Sequence, residues 1–387
     1  MKADLDAVND SGMLGVRRLR ETWSNARYGR RHDDPAEFHF DRLVLHALGV
    51  GLEQAMQYVG QSAPTFEEFE RWITATAGEP TASQVARINA AEAGRDYPDE
   101  VRYPLGKIET DAPVLSADDL AFWDEHGYVV VADAVPMDAR EQAVRAILTH
   151  LGATADDPES WYAQRANGIM VQYFQHPPFT AIRNSRRLHK AFAQLWGTVD
   201  LWVRTDRVGF NVPERPGWRF PGPDLHWDVS IATPIPFGVE GIAYLTDTAA
   251  EQGAFTCVPG FQRRIEAWLA GLPTEADPRT QGLHALGARP IPGRAGDLIV
   301  WHHALPHGSR PNRAQRPRIV QYVSMYPART KHQLTWLFSI DQRLTVGAAN
   351  HVRSHQALAG VRPLCCLPLV DQMDGAERER DHRERDR

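Results

Sequence analysis

The first quarter of the chain carries apolar residues at helical spacing, and the residues before them give three helix starts. Asp34 and Pro35 place an N-cap acid before a proline at the first helical position, which predicts a helix to about Val59. Thr65 begins a capping box that opens a second amphipathic helix, and residues 81–93 form a third. The pattern predicts an N-terminal helical module that, with a linker at its end, occupies residues 1–112.

A second pattern starts at Ser116, which caps a short helix that ends at Gly127. A strand at 128–131 and a helix at 138–151 follow it. From about residue 168 the chain changes to short apolar runs separated by Pro, Gly and Asn, which is typical of a sandwich or barrel. These predicted strands are 170–174, 201–212, 230–235, 242–246, 254–258, 297–302 and 318–326, with helices inserted at 187–195 and 263–269. We expect a mostly β core at residues 113–373.

The composition is that of an ordinary soluble protein, with 43% hydrophobic and 24% charged residues. A net charge of −6 leaves no basic excess for phosphates, so we expect no nucleic-acid partner. Three cysteines do not make a disulfide framework, and the acidic first residues and the lack of a long apolar run lead us to expect neither a signal peptide nor a membrane span. We therefore expect a cytoplasmic protein. The charged tail at 374–387 is predicted to be disordered.

One of four His-x-Asp/Glu tripeptides has the context of a metal site. Residues i and i+2 of a strand point to the same face, whereas in a helix they diverge by about 200°. Only His226 and Asp228 lie at the entrance of the β-rich region; the other three tripeptides are His32/Asp34, His39/Asp41 and His382/Glu384. Two histidines and one carboxylate form the facial triad of non-haem Fe(II) oxygenases, which leaves positions open for a cosubstrate and O₂.

The third ligand can come from the end of the predicted strand at 297–302. His302, His303 and His307 follow one another there, and by composition any of the three is a candidate. Further on, Arg318 opens a predicted strand, and an arginine at such a place can hold a carboxylate with two hydrogen bonds. The neighbouring Arg316 is predicted to be a surface residue, as are Arg310 and Arg313.

Residues 116–327 resemble the phytanoyl-CoA dioxygenase family of Fe(II)- and 2-oxoglutarate-dependent oxygenases. The resemblance rests on an ordered set of short motifs, each of them weak alone. The set consists of residues 124–131, His226-Trp227-Asp228, residues 251–260, Gly296-Asp297-Leu298, residues 307–312 and Arg316-Pro317-Arg318.

The resemblance implies a double-stranded β-helix, a cupin-type jelly roll, with packed helices. It implies that His226, Asp228 and His307 are the iron ligands. It also places Arg318 on the distal carboxylate of the cosubstrate 2-oxoglutarate, with Ser309 assisting. With O₂, such a centre oxidises an unactivated C–H bond and releases succinate and CO₂. A carboxylate at position 228 favours hydroxylation, because related halogenases have a small residue there.

Two departures from the family pattern concern the cosubstrate site. A Lys-Pro pair that is common in the family near the cosubstrate is replaced by Asn211-Val212-Pro213, so that no lysine is available there. An aromatic residue that is often found on the strand after the His-x-Asp motif aligns with Ile242, while Tyr244 could face the same way. Asn211 and Tyr244 are therefore candidates for cosubstrate contacts.

The substrate is expected to be a small molecule, but its identity does not follow from the sequence. The loop 213–220 leads into the metal ligands, which makes Trp218 and Arg219 candidate substrate contacts; Gln172 and Arg207 are further candidates. The N-terminal module could be a lid, a homodimer surface or a structural buttress. Two other functions remain open at this point, a non-oxidative cupin-like metalloenzyme and a non-catalytic binding protein.

Overall fold

The computed structural model describes residues 11–30, 35–162, 168–273 and 276–329. Six helices form its first part: α1 (Leu19–Tyr28), α2 (Pro35–Ala47), α3 (Leu52–Ser62), α4 (Phe66–Ala77), α5 (Ala82–Glu92) and α6 (Asp99–Thr110). The predicted capping box is confirmed at α4, where Thr65 Oγ1 accepts a hydrogen bond from the Glu68 amide and Glu68 accepts one from the Thr65 amide. A second box, at Thr81 and Gln84, opens α5 in the same way.

Two of the predictions for this part are wrong. The single helix to about Val59 is interrupted between α2 and α3, because Gly49 takes a left-handed conformation (φ +76°) that ends α2. The predicted linker contains α6, which has Pro104 in its interior. Val101 and Ile108 of α6 are both buried, one heptad apart on the same face. We infer that this packing compensates for the backbone hydrogen bond that Pro104 cannot donate.

The second part combines helices with antiparallel sheets. Its helices are α7 (Ala117–His126), α8 (Met137–Leu151), α9 (Pro177–Arg183), α10 (Arg186–Trp196) and α11 (Ile265–Ala270). Its strands are β1 (Tyr128–Val131), β2 (Met170–Val171), β3 (Leu201–Val203), β4 (Val208–Asn211), β5 (Val239–Tyr244), β6 (Thr256–Cys257), β7 (Arg289–Pro290), β8 (Leu298–His302), β9 (His307–Gly308), β10 (Arg318–Tyr322) and β11 (Met325–Pro327). A six-stranded sheet has the order β1-β8-β5-β10-β4-β2.

Two smaller sheets have the orders β11-β3 and β7-β6-β9. The predicted strands 201–212 and 318–326 are each interrupted. One half of each belongs to the large sheet, and the other half belongs to the β11-β3 sheet. The predicted strand at 230–235 is wrong. Pro234 and the following Pro236 lack the N–H groups that a sheet ladder needs, and the segment is a loop.

The helices α1–α5 share one apolar core with the β3–β11 sheet. Trp202 and Tyr326 of that sheet are buried in the same cluster as Phe69 and Ile73 of α4. Each large side chain buried in this way contributes about 1.5–3 kcal/mol relative to exposure. Among the described residues, no helix combines the length and the apolar character needed to cross a membrane. The predicted tail at 374–387 lies outside the described residues.

Candidate metal centre

Two segments that are distant in sequence pair at the candidate metal centre. The amide of His226 donates to the carbonyl of His307 at 2.8 Å, and the amide of His307 donates back at 3.0 Å. This single antiparallel bridge brings the two imidazole rings to 4.9 Å between their centroids. Gly308 makes the approach possible, because a Cβ at this position would overlap the carbonyl of Asp224.

The side chains of His226, Asp228 and His307 form a cluster that can hold a metal ion, with ligand atoms all within 4.8 Å of one another. The Nε2 atoms of His226 and His307 lie 3.3 Å and 3.6 Å from the two carboxylate oxygens of Asp228. Each imidazole Nδ1 is hydrogen-bonded to a backbone carbonyl, at Asp224 and Leu305 respectively, and so carries the proton. Both Nε2 atoms therefore face the centre, as metal ligation requires.

The charges of the cluster support this arrangement. Burial lowers the pKa of His226, but the hydrogen bond and the charge of Asp228 outweigh burial and raise this pKa to about 8. The surrounding protein raises the pKa of Asp228, yet the hydrogen bonds from His226 and His307 hold it well below its usual range. Asp228 is therefore an anion at neutral pH, and two histidines with one carboxylate are a donor set that suits Fe(II).

His302 and His303, the other two candidates for the third ligand, point elsewhere. His302 Nδ1 accepts a hydrogen bond from the Ala304 amide at 3.0 Å, and His303 Nε2 donates to the carbonyl of Pro236. Burial, with a smaller effect of the neighbouring His303, lowers the pKa of His302 to about 3, and burial lowers that of His303 to about 4. Both are neutral packing residues, which leaves His307 as the histidine of this stretch that faces Asp228.

The remaining His-x-Asp pair within the described residues is structural. His39 and Asp41 lie in α2, as predicted, and their side chains take separate partners. The His39 ring packs on Tyr326, while Asp41 accepts hydrogen bonds from Arg18 and Thr22. The tripeptides at 32–34 and 382–384 contain residues that lie outside the described part of the chain.

Arg279, which the sequence did not single out, clasps the backbone around Asp228. Its Nη1 donates to the carbonyl of Trp227 at 2.6 Å and its Nη2 to the carbonyl of Val229 at 2.7 Å. The guanidinium therefore holds the carbonyls of the two residues that flank Asp228. No short sequence motif predicts such a contact, because it joins a side chain to backbone carbonyls about fifty residues away in the chain.

We expect Arg279→Ala to weaken metal binding by roughly 10–100-fold, the usual cost of losing a residue that orients a ligand. The measurement is a titration of the purified protein with Fe(II) or Co(II) under anaerobic conditions. Arg263→Ala, at an exposed arginine before α11, is the matched control and should bind metal like the wild type. Equal affinities of the two variants would show that Arg279 does not position Asp228.

Glu240 is the second residue that the sequence did not single out. It lies in β5, and its Oε2 atom is 3.4 Å from Nε2 of His307. Burial, and then the charge of Asp228, raise the pKa of Glu240. The predicted strand began at Ile242, two residues too late to include it, because glutamate is uncommon in strands. Because residues two apart in a strand share a face, extending the strand back from Ile242 would have placed Glu240 on the same face as Ile242.

Arg318 begins β10 and is fully buried, with 0% of its surface exposed. Its Nη1 donates to the carbonyl of Gly253 at 2.8 Å, whereas Nε and Nη2 are buried without a hydrogen-bond partner among the described residues. Gly253 has φ +67°, and a Cβ there would overlap the side-chain amide of Asn211. A guanidinium with two N–H groups free at a buried place is suited to bind a carboxylate.

The chain links this arginine to the metal cluster through residues 253–257. Gly253 accepts from Arg318, and Cys257 at the other end of the segment is paired with His307 between β6 and β9. The Phe255 ring between them lies 6.2 Å from the His307 ring. Arg318 and the metal cluster are therefore held by opposite ends of one short buried segment.

The three other predicted cosubstrate contacts lie around this segment. Ser309 is buried, and its amide donates to the carbonyl of Pro223. Asn211 is fully buried opposite Arg318 in the β4–β10 register, and its Oδ1 has no hydrogen-bond partner among the described residues. The hydroxyl of Tyr244 is already engaged, since it donates to a backbone carbonyl at 2.8 Å and accepts from a backbone amide at 2.9 Å.

The four predicted substrate contacts are dispersed. Trp218 is partly buried and packs on the core of the β part, while Arg219 and Gln172 are exposed. Arg207 forms ion pairs with Asp206 and, at 2.5 Å, with Glu53 of α3. Among the described residues, no hydrogen bond, ion pair or ring contact joins any of these four to His226, Asp228 or His307.

Comparisons with known proteins found a matching family model and relatives of low sequence identity. The model of the phytanoyl-CoA dioxygenase family matches residues 123–320, just over half of the chain. An ectoine dioxygenase of Bordetella parapertussis is 23% identical in an alignment of 327 positions that covers 76% of this chain and 99% of the relative. Solved structures with similarity include EctD from S. alaskensis in its apoform (19% identity, TM-score 0.41, 59% of this chain and 85% of that chain) and HygX from Streptomyces hygroscopicus with nickel and 2-oxoglutarate bound (17% identity, TM-score 0.39, 56% and 88%). The chain thus belongs to the phytanoyl-CoA dioxygenase family and is a non-haem oxygenase that depends on iron and 2-oxoglutarate.

Proposed function

We propose that the protein hydroxylates an unactivated C–H bond of a small-molecule metabolite and releases succinate and CO₂ from 2-oxoglutarate. The observation that carries this proposal is the fully buried Arg318, which has two unpartnered N–H groups and is tied by residues 253–257 to a His-Asp-His cluster. We also propose that the large sheet and the β7-β6-β9 sheet are the two halves of a double-stranded β-helix. The antiparallel order of both sheets supports this proposal.

The residues of the centre fit the groups that the family uses. His226, Asp228 and His307 would hold iron, and Arg318 would hold the distal carboxylate of 2-oxoglutarate with the help of Ser309. Bound together, iron and 2-oxoglutarate would supply the chemistry that uses O₂ for C–H oxidation, in which one oxygen atom of O₂ goes into succinate, formed together with CO₂, and the other into the product. Asn211, with its unpartnered buried oxygen, would accept a hydrogen bond in the cosubstrate site.

The protein contributes orientation and selectivity. Hydrogen bonds from both Nδ1 atoms orient the rings of His226 and His307 so that their Nε2 atoms face Asp228. His226, whose pKa is raised to about 8, would release its Nε2 proton when a metal binds. Arg279 holds the backbone on both sides of Asp228. The carboxylate of Asp228 occupies the position that a small residue has in related halogenases, which favours hydroxylation over halogen transfer.

Some predictions remain proposals about the surroundings of the site. Trp218 and Arg219 would contact substrate if the loop 213–220 moves over the centre, while Tyr244 would contact 2-oxoglutarate through its ring, because its hydroxyl is engaged. The domain limits at residues 112 and 373 and a homodimer through the N-terminal helices remain predictions.

The test is an anaerobic titration of the protein with Fe(II) and 2-oxoglutarate, followed by admission of O₂. We expect a visible charge-transfer band before O₂ is added and succinate afterwards. A metabolite extract of the source cells should accelerate succinate formation and yield a product that gains one oxygen atom, derived from ¹⁸O₂. Absence of both the band and succinate would disprove the proposal, and would favour a non-oxidative metalloenzyme or a binding protein.

A further inference from the structure

One carboxylate oxygen of Glu240 faces the metal cluster without a hydrogen-bond partner among the described residues. Its Oε2 is buried and forms no hydrogen bond with any residue that the structure describes, although it lies 3.4 Å from Nε2 of His307. The position follows from β5, in which Glu240 is opposite Trp301 of β8. The Trp301 ring is itself 5.1 Å from the His307 ring, so the β5–β8 pair forms one wall of the centre.

His307 cannot serve as a lasting partner of Glu240. Its Nδ1 donates to the carbonyl of Leu305 at 3.0 Å, so the neutral ring carries no proton on Nε2. In the loaded enzyme the same Nε2 would bind the metal. Glu240 is not part of the cluster whose ligand atoms all lie within 4.8 Å of one another, which consists of His226, Asp228 and His307. An acceptor that is buried beside the metal therefore lacks a donor.

The charges around Glu240 do not neutralise it. The charged or titratable side chains that act on it are Asp228, His307, Arg204 and His226. Arg204 is already paired with Asp206, with 3.0 Å between Nε and Oδ2. Burial, and then the charge of Asp228, outweigh His307, Arg204 and His226 and raise the pKa of Glu240, as they do for a carboxyl group that lacks a strong cationic partner.

We propose that Glu240 binds a cationic nitrogen of the substrate, and that the substrate is a small amine or related organic cation. This inference rests on the proposed oxygenase function. A buried carboxylate without a partner is costly, and an ammonium group that enters the site supplies both the donor and the opposite charge. The short distance between Glu240 and His307 places this nitrogen within a few bonds of the carbon that is oxidised.

The experiment separates a metabolite extract of the source cells by ion exchange at pH 7 into cationic, neutral and anionic fractions. Each fraction is added to the enzyme with Fe(II), 2-oxoglutarate and O₂, and succinate formation above the rate without extract is measured. We expect stimulation by the cationic fraction. Glu240→Gln should reduce this stimulation about tenfold or more, the usual loss when a hydrogen bond to a charged group is removed. Glu240→Asp should keep the preference for cations, and the exposed Glu266→Gln is the matched control.

Each other outcome overturns the inference. Stimulation by the neutral or anionic fraction alone would do so while leaving the oxygenase function intact, and so would unchanged stimulation of Glu240→Gln. If Glu240→Gln loses the anaerobic charge-transfer band but keeps its thermal unfolding temperature, Glu240 belongs to the metal site instead. A wild-type band without stimulation by any fraction also excludes a small cationic substrate. Absence of the band in the wild type would mean that the oxygenase function itself has failed.

Discussion

Replacement of Asp228 by alanine is expected to abolish substrate-coupled turnover, and His226→Ala and His307→Ala should do the same. Loss of a residue that only orients a ligand costs roughly 10–100-fold in metal affinity, and loss of a ligand should exceed this. Asp228 also supplies the negative charge that raises the pKa of His226 to about 8. Without Asp228, two neutral histidines would remain, and a hard divalent cation would lose its only anionic protein ligand in the cluster.

The measurement is metal content after equilibration with Fe(II), together with succinate formation in the presence of substrate. His303→Gln is the informative control, because His303 precedes His307 by four residues but donates its hydrogen bond to Pro236, away from the cluster. This variant should keep its metal, although it should unfold at a lower temperature. Metal loss in His303→Gln together with retention in His307→Ala would show that the third ligand was assigned to the wrong histidine.

The metal pair could be predicted from the sequence because its logic is local. His226 and Asp228 are two residues apart, and the strand-like context that separates them from His39 and Asp41 in α2 is visible in the pattern of neighbouring residues. In the structure the strand-like part is short: His226 forms a single β-bridge, and Asp228 lies just beyond it in a bend. Even one bridge is enough to align the ring of His226 with that of His307.

The choice among three histidines could not be made from local pattern. His302 ends β8 and His307 begins β9, with a turn between them that reverses the direction of the chain. What selects His307 is the close approach of Gly308 to the backbone at Asp224. This contact joins residues that are far apart in sequence, and composition does not reveal it. The choice of His307 as the third ligand therefore depended on the resemblance to a family.

Glu240 and Arg279 are residues of the centre that could not be predicted from the sequence. Each acts on the centre through a contact with a distant segment, Glu240 with His307 and Arg279 with the carbonyls beside Asp228. Charged residues between predicted elements are usually solvated, so neither residue stood out.

The positions at which helices are interrupted were equally hard to predict. From the sequence, Gly49 fits either the interior or the end of a helix. Its φ of +76° shows that it ends the helix.

Replacement of Arg318 by alanine is expected to raise the KM for 2-oxoglutarate by roughly 10–150-fold, with the metal cluster intact. The range corresponds to the loss of one charge-assisted hydrogen bond of about 1.5–3 kcal/mol, and a bidentate contact would lie at its upper end. The Nε and Nη2 groups of Arg318 are both buried, so without them the distal carboxylate of 2-oxoglutarate would enter a buried place that lacks its counter-charge. Saturating 2-oxoglutarate should therefore restore most of the charge-transfer band.

Arg316→Ala is the matched control, because Arg316 lies two residues away with 71% of its side chain exposed and only a 3.9 Å contact with Asp156. It should bind 2-oxoglutarate like the wild type. Arg318→Lys keeps the charge but not the planar fork, and should fall between the two. This variant also tests folding, since a lysine retains one donor for the carbonyl of Gly253. If Arg316→Ala loses 2-oxoglutarate affinity while Arg318→Ala keeps it, the cosubstrate lies at the surface near Arg316, and the buried guanidinium serves only to hold β10 against residue 253.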